Sequence, residues 1–468
     1  MKITVIGTGY VGLIQAACMA ELGNTVVGLD VDEKKIEMLK KGKSPIYEPG
    51  IEDLLSRNIK EGRLSFTTSY AEAIPTAEVV FIAVGTPSTD DGRADLQYVE
   101  ASARSIAQHL KKYTVVVNKS TVPVGTGDVV SDIIRKELVT RGISKSPLPP
   151  LSERGELPPS QRGIEGDLDQ SWDGTFDVAS NPEFLREGSA IHDFLEPDRV
   201  VIGDASERAR TLLETLYQPL NAPILFTDIQ TAEMIKYASN AMLATQISFI
   251  NSIAQICEKV GADVTKVAAG MRLDGRIGKR SFLDAGVGYG GSCFPKDVKA
   301  LIQIAHDHGV HFEILESVED VNAMQLRTTV EKIRSLVGES FKGKRIALWG
   351  LAFKPKTDDI RDAPAMAIAT ALISEGATVV GYDPVAANAA KRELPGLEIA
   401  GSAIDAVKDA DALAIMTEWD ELKEIDLTAV VAALKQPNIV DGRNLYELDM
   451  IRKLGVNYRS IGRPAISS

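Results

Sequence analysis

The run Gly288-Tyr289-Gly290-Gly291-Ser292-Cys293-Phe294-Pro295-Lys296-Asp297 sets a thiol, an ammonium and a carboxylate within about one helical turn of each other. Pro295 suits the first turn of a helix, which places Cys293 at the helix N-terminus beside Lys296. The positive end of the helix dipole and the cation both favour a thiolate there. Asp297 lies one turn on and faces the same way. The glycines read as a place where backbone comes close to a ligand. A cysteine nucleophile is the chemistry this spacing suggests. Cys18 and Cys257 lack such a setting and read as buried packing residues.

A second chemical motif is Gly7-Thr8-Gly9-Tyr10-Val11-Gly12, which follows an apolar run and opens a helical pattern. The first glycine permits a tight turn, the second lets a pyrophosphate approach the backbone, and the third allows close helix–strand packing. Asp30 ends the next apolar run, where its carboxylate can accept from ribose hydroxyls and repel a 2′-phosphate. The expected cofactor is NAD rather than NADP.

Other candidates are less specific. In Asn181-Pro182-Glu183-Phe184-Leu185-Arg186-Glu187-Gly188 the two glutamates are four apart, so on a helical turn their carboxylates share a face. Two acids there could serve proton transfer and ribose binding. Lys354, Lys356 and Arg361 follow a strand pattern ending at Trp349 and suit an anionic ligand such as a nucleotide diphosphate, although solvated surface charge explains them as well. His306, His308 and His311 have no carboxylate at ligand spacing, so no metal site is expected.

These groups need elements to position them. Residues 3–6, 25–29, 79–84 and 115–118 read as buried strands, and residues 13–22, 33–41 and 96–111 as helices. That alternation implies crossover units and a parallel sheet. Residues 146–174, dense in proline and charge, read as a disordered surface insertion, after which the sheet resumes near residue 176. Residues 229–260 read as one helix without interior Gly or Pro, roughly 45–50 Å long. From Lys344 the alternation returns, and residues 374–383 echo residues 21–30, each a helix ending at Gly that feeds a strand ending in Asp. The expected fold is α/β, with two Rossmann-like doubly wound domains joined by a long central helix and a small helical dimerisation domain.

Composition excludes several classes. Of 468 residues, 44% are apolar and 25% charged, as in globular chains. With 52 Lys plus Arg against 65 Asp plus Glu, the net charge of -13 argues against a nucleic-acid binder. Three scattered cysteines exclude a disulfide framework and fit a cytoplasmic protein. Met1 runs directly into a strand pattern, so no signal peptide is expected, and no stretch is long and apolar enough to span a bilayer.

In order, GTGYVG, NPEFLREG, EMIKYASNA, GGSCFPKD and GLAFKPKTDD resemble the UDP-glucose/GDP-mannose dehydrogenase family, over essentially the whole chain outside residues 146–174. The Phe294–Asp297 continuation favours UDP-glucose as substrate over GDP-mannose or UDP-N-acetylmannosamine. The resemblance implies domains at residues 1–210 (NAD-binding, carrying the insertion), 211–325 (helical, dimerisation) and 326–468 (UDP-sugar-binding), in a homodimer or higher oligomer. It also implies oxidation of a sugar carbon 6 alcohol to a carboxylate with two NAD, through a thiohemiacetal and a thioester on Cys293. Lys236 and Asn240, four apart on the long helix, would assist proton transfer and stabilise the oxyanion. Asp297 and Thr121 would hold water, and Glu183 would act in thioester hydrolysis.

Carried over to matching positions, the cofactor contacts are Gly7, Gly9, Tyr10, Val11, Gly12, Asp30, Lys35, Thr86, Ser120, Thr121, Glu187, Lys296 and Arg361. The implied sugar-nucleotide contacts are Glu183, Phe184, Leu185, Glu187, Lys236, Asn240, Arg276, Phe282, Leu283, Asp284, Ala285, Gly286, Gly290, Lys354 and Arg443. A catalytically silent NAD- and nucleotide-sensing regulator is the rival from another class. An intact Cys293, Lys236 and Asp297 argues against it.

Overall fold

A computed structural model describes residues 1–89, 92–143 and 172–468, so most of the insertion expected at 146–174 lies outside the described residues. The chain divides into two compact units, Met1–Ala238 and Ser239–Ser468.

The first unit is built on eight strands: β1 (Lys2–Ile6), β2 (Thr25–Leu29), β3 (Leu64–Thr67), β4 (Val79–Ile82), β5 (Val115–Asn118), β6 (Asp177–Ser180), β7 (Val200–Gly203) and β8 (Ile224–Thr227). They lie in the order β3-β2-β1-β4-β5-β6-β7-β8, parallel except where Ser180 of β6 meets Gly203 of β7. Continuous apolar runs suit strands covered on both faces. In β4, Val79 and Phe81 enter one core with the helix Tyr10–Glu21, while Val80 and Ile82 enter another with the helices Gln97–His109 and Thr126–Thr140. β4 stops at Ile82, short of the expected residue 84, because the chain turns away to carry Thr86.

The second unit holds β9 (Arg345–Trp349), β10 (Thr378–Tyr382), β11 (Glu398–Ile399), β12 (Ala412–Ile415), β13 (Asn438–Asp441) and β14 (Asn457–Ser460). Their order is β11-β10-β9-β12-β13-β14, all parallel. The echo between residues 21–30 and 374–383 is thus structural, since β2 and β10 hold the same place beside β1 and β9. In each sheet the strand order reverses at the first strand, and ligands of open α/β sheets bind outside the carboxyl ends at such points.

The helix Ile229–Val260 forms over the expected residues and contains the boundary between the units. The helices Phe294–Asp307, Glu313–Val337 and Pro364–Ser374 belong to the second unit. No described helix is long and apolar enough to cross a membrane.

Candidate active site

In the first unit the three glycines of the β1 turn differ in what surrounds them. Gly7 has φ +92°, and a Cβ on it would lie 2.6 Å from the Ala83 carbonyl oxygen. A Cβ on Gly12 would lie 1.9 Å from the Gly7 carbonyl oxygen, so both positions are closed to side chains by the protein itself. A Cβ on Gly9 would meet nothing within 4 Å. That open face adjoins the helix Tyr10–Glu21, which starts with neither a side-chain cap nor an acid in its first turn. Unpaired N–H groups and the dipole are therefore available to a pyrophosphate. The residues fit NAD.

Asp30 completes this fit and also holds the turn. Its Oδ2 accepts from the Thr8 N–H and Oγ1, both at 2.8 Å, and its Oδ1 accepts from the Asp32 N–H at 3.0 Å. Burial alone would raise its pKa, but these donors and Lys35, 3.9 Å away, hold the carboxyl below its ordinary range. Thr86 Oγ1 donates to the Thr121 carbonyl at 2.9 Å and Ser120 Oγ to the Val84 carbonyl at 2.7 Å, tying together the segments after β4 and β5. Tyr10 donates its hydroxyl to Glu48 and accepts from the Gly188 N–H at 3.1 Å. Val11 is half-buried at the start of the helix.

The expected helical turn at Glu183 and Glu187 does not form: residues 181–186 run without regular structure and the next helix, Ala190–Leu195, starts later. The reason is charge burial. Lys236 Nζ draws Glu183 Oε1 inward to 2.8 Å, and the Leu185 N–H donates to the other oxygen at 2.6 Å. Glu187 is half-buried without sharing that position. Phe184 receives the Arg199 guanidinium 3.8 Å above its ring, and Lys236 approaches the same ring at 5.5 Å. Leu185 packs at the margin of the first core.

Sequence reasoning missed Lys119. It is buried at the end of β5, donates to Asn181 Oδ1 at 2.9 Å, and its pKa falls to about 7 because burial penalises the ammonium more than Glu183 favours it. Asn181 also accepts from the Tyr217 hydroxyl and donates to the Val201 carbonyl at 2.7 Å. Burial also opposes ionisation of Glu183, but Lys236, the Leu185 N–H and Lys119 outweigh it and hold the carboxyl below its usual range. A lysine directly after a buried strand was the available signal.

A further buried acid of this unit, Glu233, accepts from the Gly125 N–H at 2.7 Å and the Gly127 N–H at 3.0 Å, fixing the start of the helix Thr126–Thr140. Burial pushes its pKa up to about 7, against the pull of those donors.

In the second unit Cys293 caps the helix Phe294–Asp307 with Pro295 in its first turn, as expected, and is exposed. Asp297 is fully buried beneath it: its N–H donates to the Cys293 carbonyl at 2.8 Å, and its oxygens accept from Asn240 Nδ2 at 2.6 Å and Lys296 Nζ at 2.5 Å. Lys296 is thus paired with Asp297, a carboxylate the expectation had not assigned to it, and the helix N-terminus is a positive element at Cys293.

The glycines of this motif are also reassigned. A Cβ would lie 2.6 Å from Asn322 Oδ1 at Gly288, 2.1 Å from the Asp362 carbonyl at Gly290 and 2.7 Å from the Phe353 ring at Gly291. They let the cysteine loop pack against the protein rather than against a ligand.

That packing brings the motif to the loop after β9. Arg443 Nε donates to the Met416 carbonyl at 2.7 Å and its Nη2 to the Phe353 carbonyl at 3.1 Å. Lys354 Nζ lies 5.4 Å from the Phe353 ring centre. Gly286 joins them, its N–H donating to Asn251 at 2.9 Å, its carbonyl accepting from Gln325 at 2.7 Å, and a Cβ on it meeting Arg443 at 3.2 Å. Leu283 and Ala285 are buried, and the Phe282 N–H donates to Gln246 at 2.7 Å.

Arg276 and Asp284 are not brought into that group: Arg276 is exposed and paired with Asp274 at 2.6 Å, and Asp284 is exposed and paired with Arg272 at 2.8 Å. Arg361 does reach it, its carbonyl accepting from the Gly291 N–H at 2.9 Å while its guanidinium is forked onto Asp359 at 2.7 and 2.8 Å. Asp383, the counterpart of Asp30, accepts from Leu351, Ala352, Val385, Ala386 and Trp419 at 2.8–3.1 Å. It latches the β9 turn with five donors, where Asp30 takes three. His306 and His311, but not His308, prove to have a carboxylate partner, Glu316.

The family models for UDP-glucose/GDP-mannose dehydrogenases match the chain in sequence: the NAD binding domain over residues 1–221, the central domain over 230–324 and the UDP binding domain over 347–448. The chain is similar to UDP-glucose 6-dehydrogenase TuaD of Bacillus subtilis, 49% identical over 466 residues covering 99% of this chain and 94% of that one. It is 47% identical to UDP-glucose 6-dehydrogenase of Rhizobium meliloti over 470 residues, covering 99% and 100%. Among solved structures, a UDP-glucose dehydrogenase from Pyrobaculum islandicum superposes with a TM-score of 0.85 at 35% identity, covering 98% of this chain and 97% of that one.

Proposed function

The chain belongs to the UDP-glucose/GDP-mannose dehydrogenase family, and from that premise we propose that it oxidises UDP-glucose to UDP-glucuronate through a covalent adduct on Cys293. It is an NAD-dependent oxidoreductase. The observation that carries the covalent route is the exposed Cys293 at a helix N-terminus, one turn before a buried Asp297 braced by Asn240 and Lys296.

When bound, NAD supplies a hydride acceptor for each of the two oxidations. Gly9, the N–H groups of the helix Tyr10–Glu21 and Asp30 hold its pyrophosphate and ribose, with Lys35, Thr86, Ser120, Glu187 and Arg361 as further contacts. Lys354, Arg443 and the Gly286 backbone hold the sugar nucleotide.

Cys293 adds as thiolate to the carbon 6 aldehyde, forming a C–S bond and leaving the electron pair on oxygen. Lys236 and Asn240, one turn apart on the helix Ile229–Val260, stabilise that oxyanion. After the second oxidation the adduct is a thioester. Water held by Asp297 and Thr121 adds to it, Glu183 takes the proton, and breaking the C–S bond returns the thiolate and releases the acid. Lys119 and Asn181 position Glu183 and keep it ionised.

A homodimer belongs to this reading. Met242, Phe249 and Ile256 are about half exposed at seven-residue intervals, an apolar stripe along the helix Ile229–Val260 suited to a second copy. A cytoplasmic location suits an exposed Cys293 thiol that is in no disulfide among the described residues.

NADH formation with a panel of UDP-glucose, UDP-N-acetylmannosamine and GDP-mannose tests the proposal. Two NADH per UDP-glucose, with the other sugars at least about tenfold slower in kcat/KM, is expected. Preference for another sugar would overturn the substrate assignment.

A further inference from the structure

We propose that His306, His311 and Glu316 form a binding site for one borderline divalent transition cation of the Zn2+ type. His306 lies in the last turn of the helix Phe294–Asp307, Glu316 in the first turn of the helix Glu313–Val337, and His311 in the connection between them. The connection is a tight cap. Gly309 takes φ +72°, its N–H donates to the His306 carbonyl at 2.9 Å, and the Val310 N–H donates to the Ala305 carbonyl at 2.8 Å. This reversal turns both imidazoles onto one carboxylate oxygen. His306 Nε2 is 3.0 Å and His311 Nδ1 3.1 Å from Glu316 Oε1, and the three ligand atoms lie within 4.8 Å of one another.

The spacing suits a small cation. Zinc bonds of 2.0–2.1 Å at tetrahedral angles put ligand atoms about 3.4 Å apart, so the two histidine–glutamate separations need to widen by only a few tenths of an ångström while the two imidazoles, within 4.8 Å of each other, rotate toward the ion. Two imidazoles with one carboxylate select a zinc-like ion over Mg2+ or Ca2+, which prefer all-oxygen sites. The C-terminal dipole end of the helix Phe294–Asp307 adds to the attraction, as do the acids Asp307 and Glu313 nearby in sequence. A bound ion would fasten the far end of the helix that begins at Cys293 to the helix that follows it.

The competing account is two imidazole N–H groups donating to a carboxylate with no metal. The test uses the full-length, chelator-stripped chain, Co2+ titrated by visible absorption and Zn2+ by calorimetry. One Co2+ per chain is expected, without the thiolate charge-transfer band that coordination by Cys293 would add. Zn2+ should displace it and raise the melting temperature. His306→Ala and His311→Ala should each weaken binding at least about 10-fold. Glu316→Gln should weaken binding too, while His308→Ala should match wild type. An unshifted metal-free melting temperature identifies each variant as folded. The proposal is overturned if wild type binds no Co2+ at millimolar metal, if the His306→Ala/His311→Ala double variant binds as wild type does, or if the spectrum shows thiolate ligation.

Discussion

The ammonium of Lys236 lies 2.8 Å from the Glu183 carboxylate, with both side chains only 5–6% exposed. Lys119 stands behind the pair, buried and close enough to act on both. Such an arrangement is worth little as stability relative to an apolar core, but removing one member strands a buried charge.

Lys236→Met should therefore cost about 3–5 kcal/mol of stability, while Lys236→Met combined with Glu183→Gln recovers most of it. Both should lose about 10²–10⁴-fold in kcat, since proton transfer is lost either way. Thermal melts and NADH formation on the three proteins check this. A double variant no more stable than the single one would refute the account of the pair.

The pH dependence of stability should carry two opposite contributions. Glu233 has its pKa raised from 4.5 to about 7, so its contribution is fully present below pH 4.5 and lost as pH rises through about 7. Lys119 has its pKa lowered from 10.5 to about 7, so its penalty is present below pH 7 and relieved as pH rises toward 10.5. Melting temperatures from pH 5 to 10 should show Glu233→Gln gaining on wild type between pH 5 and 7. Lys119→Met should lose ground to wild type above pH 7. Curves parallel to wild type would contradict both burial arguments.

Asp30→Asn keeps one acceptor oxygen for Thr8 but loses the charge and the second acceptor, which takes the Asp32 N–H. NAD affinity should fall about 10- to 100-fold, the range for a hydrogen bond to a charged group, and the preference over NADP should narrow. Comparing KM for the two cofactors decides it, and an unchanged ratio would remove Asp30 from ribose recognition.

Two glycine substitutions separate packing from ligand approach. Gly290→Ala puts a Cβ 2.1 Å from the Asp362 carbonyl, so about 1–3 kcal/mol of stability should be lost together with turnover. Gly9→Ala meets open space and should melt as wild type does while losing NAD affinity. Calorimetry with NAD and a thermal melt on each variant distinguish the roles, and the opposite pattern would reverse them.

Cys293→Ser lacks a nucleophile that ionises near neutral pH, so steady-state formation of two NADH per sugar should collapse while NAD binding persists. A serine variant that sustains the two-NADH stoichiometry would exclude the covalent route.

Local chemistry was legible in the chain wherever it depends on neighbours in sequence. Gly7, Gly12 and Asp30 mark a strand–turn–helix unit because backbone sterics and a strand-end acid act over a few residues. Cys293 at a helix N-terminus follows from Pro295 two positions on. The helix Ile229–Val260 follows from the absence of interior Gly and Pro, and the repeat of residues 21–30 at 374–383 predicts two sheets of one order. What only the tertiary structure decided is which charges share a low-dielectric interior. Glu183 is drawn out of a helical turn by a lysine 53 residues away, Lys296 turns to Asp297, Asp383 takes four backbone N–H groups and the Trp419 indole, and His306 and His311 find Glu316. A buried charge must be neutralised by whatever the fold places within a few ångströms, and chain spacing alone carries no record of that neighbour.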